Sequence, residues 1–253
     1  MKQFYETYAS NEKLSPLVRE ITWSNNLVII SKTTSNEEKE FYLRISIKDN
    51  LTKRELERQI DSGLFERVLT TNTNLSPALR AIHPSTENIF KEHYILDFLA
   101  LPNNHSEKDL RKGIIQNFKQ FILEFGKDFS FIGEEYRIQV GNKDFFIDLL
   151  FYHRDLQCLV AIDLKITDYK PKYLGKVEFY LEALDNDIKK EHEKPSVGII
   201  LCKSKDQKIV QYSINRSLSP TLVAKYQTEL FDKNLLENKL EEFYRLAEQN
   251  NSQ

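Results

Sequence analysis

FFIDLLFYHRDLQCLVAIDLKI, residues 145–166, decides the fold. It reads as two apolar strands joined by a short polar turn, HRD, with Asp148 inside the first strand and Asp163 and Lys165 inside the second. Alternate residues of a strand share a face, so Asp163 and Lys165 point one way while Ile162, Leu164 and Ile166 point the other. A hairpin that brings Asp148 beside them makes two carboxylates and an ammonium converge. Charges inside apolar runs are costly unless compensated, so the three need a shared reason. One reason is a hard divalent cation: Mg²⁺ takes one or two carboxylates, keeps waters and accepts a substrate phosphate oxygen, while Lys165 orients or activates the attacking water. The other is an ion pair of Lys165 with one aspartate, the second aspartate being held by backbone amides.

The flanking sequence extends this hairpin into an α/β domain. FSFIGEEYRIQV precedes it as a further strand, with Gly141-Asn142 as a two-residue turn. After the Pro-containing ITDYKPK come a helix, KYLGKVEFYLEALDNDIKK, a strand, SVGIILCK, further short elements, and a final amphipathic helix, NLLENKLEEFYRLAEQ. Upstream, TENIFKEHYILDFLAL reads as a helix. SEKDLRKGIIQNFKQFILEFG reads as one longer helix from Ser106 to Gly126, with Leu110, Ile114, Phe118, Phe121 and Phe125 on its apolar face. Helix, three meandering strands, helix, strand is a mixed sheet flanked by helices.

The N-terminal part is charged and helical. SNEEKEFYLRISI has helical spacing, and LTKRELERQI opens with Thr52 and Glu55 at capping-box distance. Trp23, in ITWSNNLVII, reads as a core anchor of this small domain. TTNTNLSPALRAIHPST is rich in Thr, Asn, Ser and Pro and reads as a linker. The expected domains are residues 1–86, helical with the linker, and residues 87–253, carrying the sheet.

Composition narrows the function classes. With 36 basic and 38 acidic residues the net charge is −2, so any attraction to nucleic acid comes from a local basic surface. The apolar runs are too short to span a membrane, and the N-terminus lacks a signal-peptide core, which points to a cytoplasmic protein without a membrane partner. Cys158 and Cys202 sit in apolar runs as reduced core thiols, and the five histidines form no H-x-x-x-H pair, which argues against zinc hydrolase chemistry. Lys170, Lys172 and Lys176 lie with Tyr169 and Tyr173 just after the second charged strand. They suit contacts to phosphates and bases, and equally suit a solvated helix start.

An Asp at the end of one strand followed on the next by acid-x-Lys resembles the signature of the PD-(D/E)XK nuclease superfamily. IDLLFYHRDLQCLVAIDLKI, KYLGKVEFYL and PSVGIILCK further resemble the nuclease domain of the bacterial YhcG-type proteins. MKQFYETYA, SPLVREITWSNNLVII, EKEFYL and LTKRELERQIDSGLFERV resemble that family's helical, winged-helix-like N-terminal domain, which begins further upstream in other members. The resemblance implies a restriction-endonuclease-like fold and a Mg²⁺-dependent endodeoxyribonuclease, Mn²⁺ being an acceptable substitute, acting on DNA in processing, restriction or defence. It implies Asp148, Asp163 and Lys165 as catalytic residues. Asp148, Asp163 and the Leu164 backbone carbonyl would be the metal ligands, and Lys170, Lys172, Tyr173 and Lys176 would contact nucleic acid. This chain departs from the family pattern at Arg111, where an acid is usual, at Glu135 and at Lys176. Glu107 and Glu135 are the candidates for a third acid. The alternative function is a catalytically inactive nuclease-fold module for nucleic-acid binding or complex assembly. Oligomeric state is left open, a homo-oligomer included.

Overall fold

A computed structural model describes residues 2–9, 11, 13–69, 74–84, 89–102, 104–126 and 128–229. The expected C-terminal helix, NLLENKLEEFYRLAEQ, lies outside the described residues. Those described group into two compact units, 2–69 and 74–229.

The first unit is built from α1 (Lys2–Tyr8), α2 (Leu14–Leu17), α3 (Trp23–Lys32), α4 (Asn36–Asp49), α5 (Lys53–Asp61) and α6 (Leu64–Leu69). Side-chain caps define several helix starts: Thr22 caps α3, Ser35 caps α4, and Thr52 forms a reciprocal capping box with Glu55 at α5. Ile29, Tyr42, Leu43 and Leu56 are fully buried at the centre of this unit. Trp23 departs from the sequence expectation. It opens α3 with 46% of its surface exposed and its ring 5.0 Å from that of Phe4, at the rim of the helical core.

The second unit contains α7 (Pro77–Ile82), β1 (His93–Ile95), α8 (Glu107–Gln116), α9 (Phe118–Phe125), β2 (Phe129–Val140), β3 (Lys143–His153), β4 (Cys158–Asp168), α10 (Lys172–Ala183), β5 (Val197–Ser204), α11 (Gln207–Ile214) and β6 (Thr221–Gln227). Its six-stranded sheet has the order β1-β6-β5-β4-β3-β2. The β2–β3–β4 meander is antiparallel, and β4, β5, β6 and β1 run parallel. One face packs against α7, α8 and α9 through Leu79, Leu110, Ile114, Phe121, Phe125, Val160 and Ile162. The other packs against α10 and α11 through Leu159, Ala161, Val177, Leu181 and Val210. Covered on both faces, β4 is buried from Cys158 to Lys165, which explains its nearly continuous apolar run. Cys158 and Cys202 are buried free thiols.

Three expected elements differ. The described part of the supposed linker, 74–84, packs on the sheet: Leu75 and Leu79 are buried in its core, Leu75 bridges to Leu222, and the Ser76 hydroxyl donates to the Ser219 carbonyl at 2.8 Å. The stretch read as a helix before Leu101 instead contributes β1, because Tyr94 and Ile95 pair with Tyr226 and Gln227 of β6. The long helix from Ser106 is two helices, broken at Asn117, whose side-chain amide donates to the Gly113 carbonyl. Ser106 still starts it, through a capping box with Asp109.

Gly198 sets how closely α10 approaches the sheet. A Cβ at this position would lie 2.3 Å from Val177 Cγ1. Gly198→Ala is therefore expected to push α10 outward and to destabilise the protein by about 1–3 kcal/mol, as overpacking in a dense core does. Urea unfolding checks this, and an unchanged midpoint would show that α10 yields without cost.

Candidate functional site

The charges of the β3–β4 hairpin do converge. The Leu164 amide donates to Asp148 Oδ2 at 2.8 Å, tying the first aspartate to the strand that carries the second. Asp163 follows Leu159 and Ala161 on the α10 face of β4 and is only 1% exposed. Its Oδ1 accepts a 2.8 Å hydrogen bond from Lys176 Nζ, reached from the first turns of α10. Lys165 Nζ lies 2.7 Å from Asp163 Oδ2 and donates to the Leu164 carbonyl, also at 2.7 Å. The Lys165 contact to Oδ2 is an ion pair out of line for a hydrogen bond, so Oδ2 is buried with charge compensation but no hydrogen-bond donor.

Arg111, from α8, forms the other border. Its Nη1 is 3.6 Å from Asp148 Oδ1, its Nη2 is 2.6 Å from Glu135 Oε1, and its Nε is 3.8 Å from Glu134 Oε2. Glu135 sits on β2 between the paired positions Glu134 with Leu149 and Tyr136 with Ile147, which places it across from Asp148. Its φ is 43°, a left-handed conformation that a glutamate adopts only when its surroundings hold it there. Glu107, at the start of α8, reaches Lys165 Nζ at 3.7 Å. Both candidate third acids thus meet the cationic members of the cluster, Lys165 and Arg111.

Electrostatics follow from burial. Desolvation pushes the Asp148 carboxyl above the ordinary aspartate range; the Leu164 amide opposes this and the nearby Asp163 charge reinforces it. Lys176 titrates above the usual lysine range. Partial burial works against its charge, but the attraction and hydrogen bond of Asp163 outweigh that. Its Nζ also lies 5.2 Å from the centre of the Tyr180 ring, whose hydroxyl donates to the Phe146 carbonyl and fixes α10 to β3. Tyr173 is half-buried. Its hydroxyl is 2.9 Å from that of Thr167, and its ring has Lys165 and Lys172 Nζ at 5.4 and 5.8 Å. Lys170 and Lys172 are exposed beside it.

The contacts expected for a purely structural role are therefore present: an ion pair between Lys165 and Asp163, and a hydrogen bond from a backbone amide to Asp148. So is an oxygen-rich donor set. Two carboxylates and the Leu164 carbonyl are hard ligands, and Mg²⁺ needs no more than one or two carboxylates from a protein. Among the described residues no group of three or more His, Cys, Asp or Glu is placed to hold a metal. Oxygen donors of this kind are those a hard cation takes, and Asp163 Oδ2 is a buried oxygen of the set without a hydrogen bond. Sequence reasoning placed Lys176 toward nucleic acid and missed its bond to Asp163. No local pattern signals that bond, because Asp163 lies on a different element, β4.

A mixed sheet carrying acid and acid-x-Lys on adjacent strands, flanked by helices, defines a fold of the PD-(D/E)XK nuclease superfamily. Residues 87–241 match the family described as the YhcG PDDEXK nuclease domain, and residues 1–67 match the DUF1016 N-terminal domain. The chain belongs to the YhcG PDDEXK nuclease family. It is 30% identical over 205 residues to "Putative nuclease YhcG" of Escherichia coli (strain K12), covering 79% of this chain and 54% of the relative, so it spans about half of that protein's length. Among solved structures, a repair endonuclease from Pyrococcus abyssi shares 17% identity with a TM-score of 0.34 over 48% of each chain. An EndoMS–dsDNA2 complex shares 16% with a TM-score of 0.36 over 51% of this chain and 46% of that one. At these TM-scores the family assignment rests on the sequence matches. No helix among the described residues is long and apolar enough to cross a membrane.

Proposed function

We propose that the protein is a metal-dependent DNA nuclease hydrolysing phosphodiester bonds. The observation that carries this reading is the convergence of Asp148, Asp163, the Leu164 carbonyl and Lys165 at the hairpin, within a chain of the YhcG nuclease family. Asp148, Asp163 and the Leu164 carbonyl would hold Mg²⁺ or Mn²⁺, which when bound supplies Lewis-acid polarisation of a phosphate oxygen and lowers the pKa of bound water. Lys165 is fixed at the same oxygens by its two 2.7 Å contacts, which suits it to orient the attacking water. Glu107 and Tyr173 border its ammonium and limit where it can swing. The exposed Lys170 and Lys172 offer positive charge to the DNA backbone, a sequence-independent contact that weakens with salt.

The test is incubation of the purified chain with duplex, single-stranded and branched DNA in Mg²⁺ or Mn²⁺. Cleavage that chelation abolishes is the expected result. A second reading, a non-catalytic binding or assembly module, draws on one observation: Arg111 and Lys176 compensate the carboxylates with protein cations. Absence of cleavage on all three substrates by a folded protein that still binds DNA would favour it.

A further inference from the structure

Resting on the metal-site reading above, we propose that Lys176 is the site's exchangeable counter-cation: its ammonium holds Asp163 in the metal-free protein and must leave before a divalent cation can bind. Asp163 is almost wholly buried, so water cannot stabilise its charge and a positive group must. Two ammonium groups do so, and they differ in kind. Lys165 is 9% exposed and anchored on the Leu164 carbonyl, a fixed part of the strand end. Lys176 is 42% exposed, reaching Asp163 from α10 over the Tyr180 ring. Asp163 itself faces both ammonium groups, whereas Arg111 is shared between Asp148 and Glu135, and Glu107 meets Lys165 only at 3.7 Å. A dication approaching Asp163 would meet both ammonium groups at short range in a poorly solvated pocket. Loss of the Lys176 contact removes one of them and frees Asp163 Oδ1 as a ligand oxygen. Lys176 is the group able to go, since its stem is long and its end already touches solvent. Once released, it joins Lys172, one turn earlier on the same helix, as positive charge available to a phosphate.

The apparent metal affinity is then reduced by the fraction of molecules in which Lys176 is away from Asp163. Calorimetric titration of the full chain with Mn²⁺ should show Lys176→Gln binding at least about tenfold more tightly than the parent. Lys172→Gln makes the same change in net charge on an exposed neighbour, and it should shift affinity by no more than about twofold. A second measurement uses the unaltered protein and does not depend on the variant folding. Acetylation of Lys176 by an amine-reactive reagent, mapped by mass spectrometry, should rise several-fold when Mn²⁺ is added. Equal or weaker Mn²⁺ binding by folded Lys176→Gln, or labelling of Lys176 unchanged while the metal demonstrably binds, would overturn the exchange. Absence of Mn²⁺ binding by parent and variant alike would overturn the metal site together with it.

Discussion

Asp163→Ala is expected to abolish metal-dependent cleavage and to destabilise the metal-free protein by roughly 3–5 kcal/mol, the usual cost of removing one partner from a buried ion pair. Repulsion between the two aspartates, considered alone, gives the opposite sign, since deleting one charge would relieve the other. The geometry decides against it. Asp163 is engaged by Lys165 at 2.7 Å and Lys176 at 2.8 Å, and without it the Lys165 ammonium, 9% exposed, keeps a carbonyl, the Tyr173 ring and the more distant Glu107. Asp163→Asn separates the two effects. It keeps the volume and one acceptor oxygen, so it should retain more stability while losing cleavage equally. Urea unfolding without metal, beside cleavage in Mn²⁺, checks both, and an alanine variant as stable as the parent would mean that the lysines find other partners.

What was legible in the sequence was local. Period-two alternation put Asp163 and Lys165 on one side of a strand, and capping chemistry marked the starts of α5 and α8 at Thr52 and Ser106. What escaped was set by distant partners. His93–Ile95 is a three-residue strand held extended by the edge of β6, and by Glu124 of α9 at the Ile95 amide, partners that lie far along the chain. The break between α8 and α9 hides inside an apolar pattern that continues in phase across Asn117, where a side chain bonded to the preceding turn ends the first helix. Leu75 and Leu79 sit among residues of linker composition, yet their burial depends on β6. The left-handed backbone of Glu135 carries no glycine or asparagine to announce it. At the site, position alone could put Lys176 on an exposed helix start, but only the fold reveals a buried carboxylate within reach that draws its ammonium inward.

Lys165→Met separates chemistry from binding. The substitution keeps the buried stem and removes the ammonium that touches Asp163 and the Leu164 carbonyl. Because Asp163 keeps its 2.8 Å bond from Lys176, the loss of stability should be smaller than for Asp163→Ala. Both candidate carboxylate ligands survive, so Mn²⁺ should bind as well as in the parent, or more tightly with one competing cation gone. Cleavage should nevertheless fall by roughly 10² to 10⁴, the range for a group that positions or deprotonates water in the reacting complex. DNA affinity measured in Ca²⁺ should be nearly unchanged, since the exposed lysines beside Tyr173 are the proposed phosphate contacts. That combination, metal and DNA bound but little cleavage, is what a catalytic lysine gives and a structural one does not. Parental cleavage by the methionine variant would remove Lys165 from the chemistry. Unfolding of the variant would assign the lysine to an ion-pair network that stabilises the hairpin.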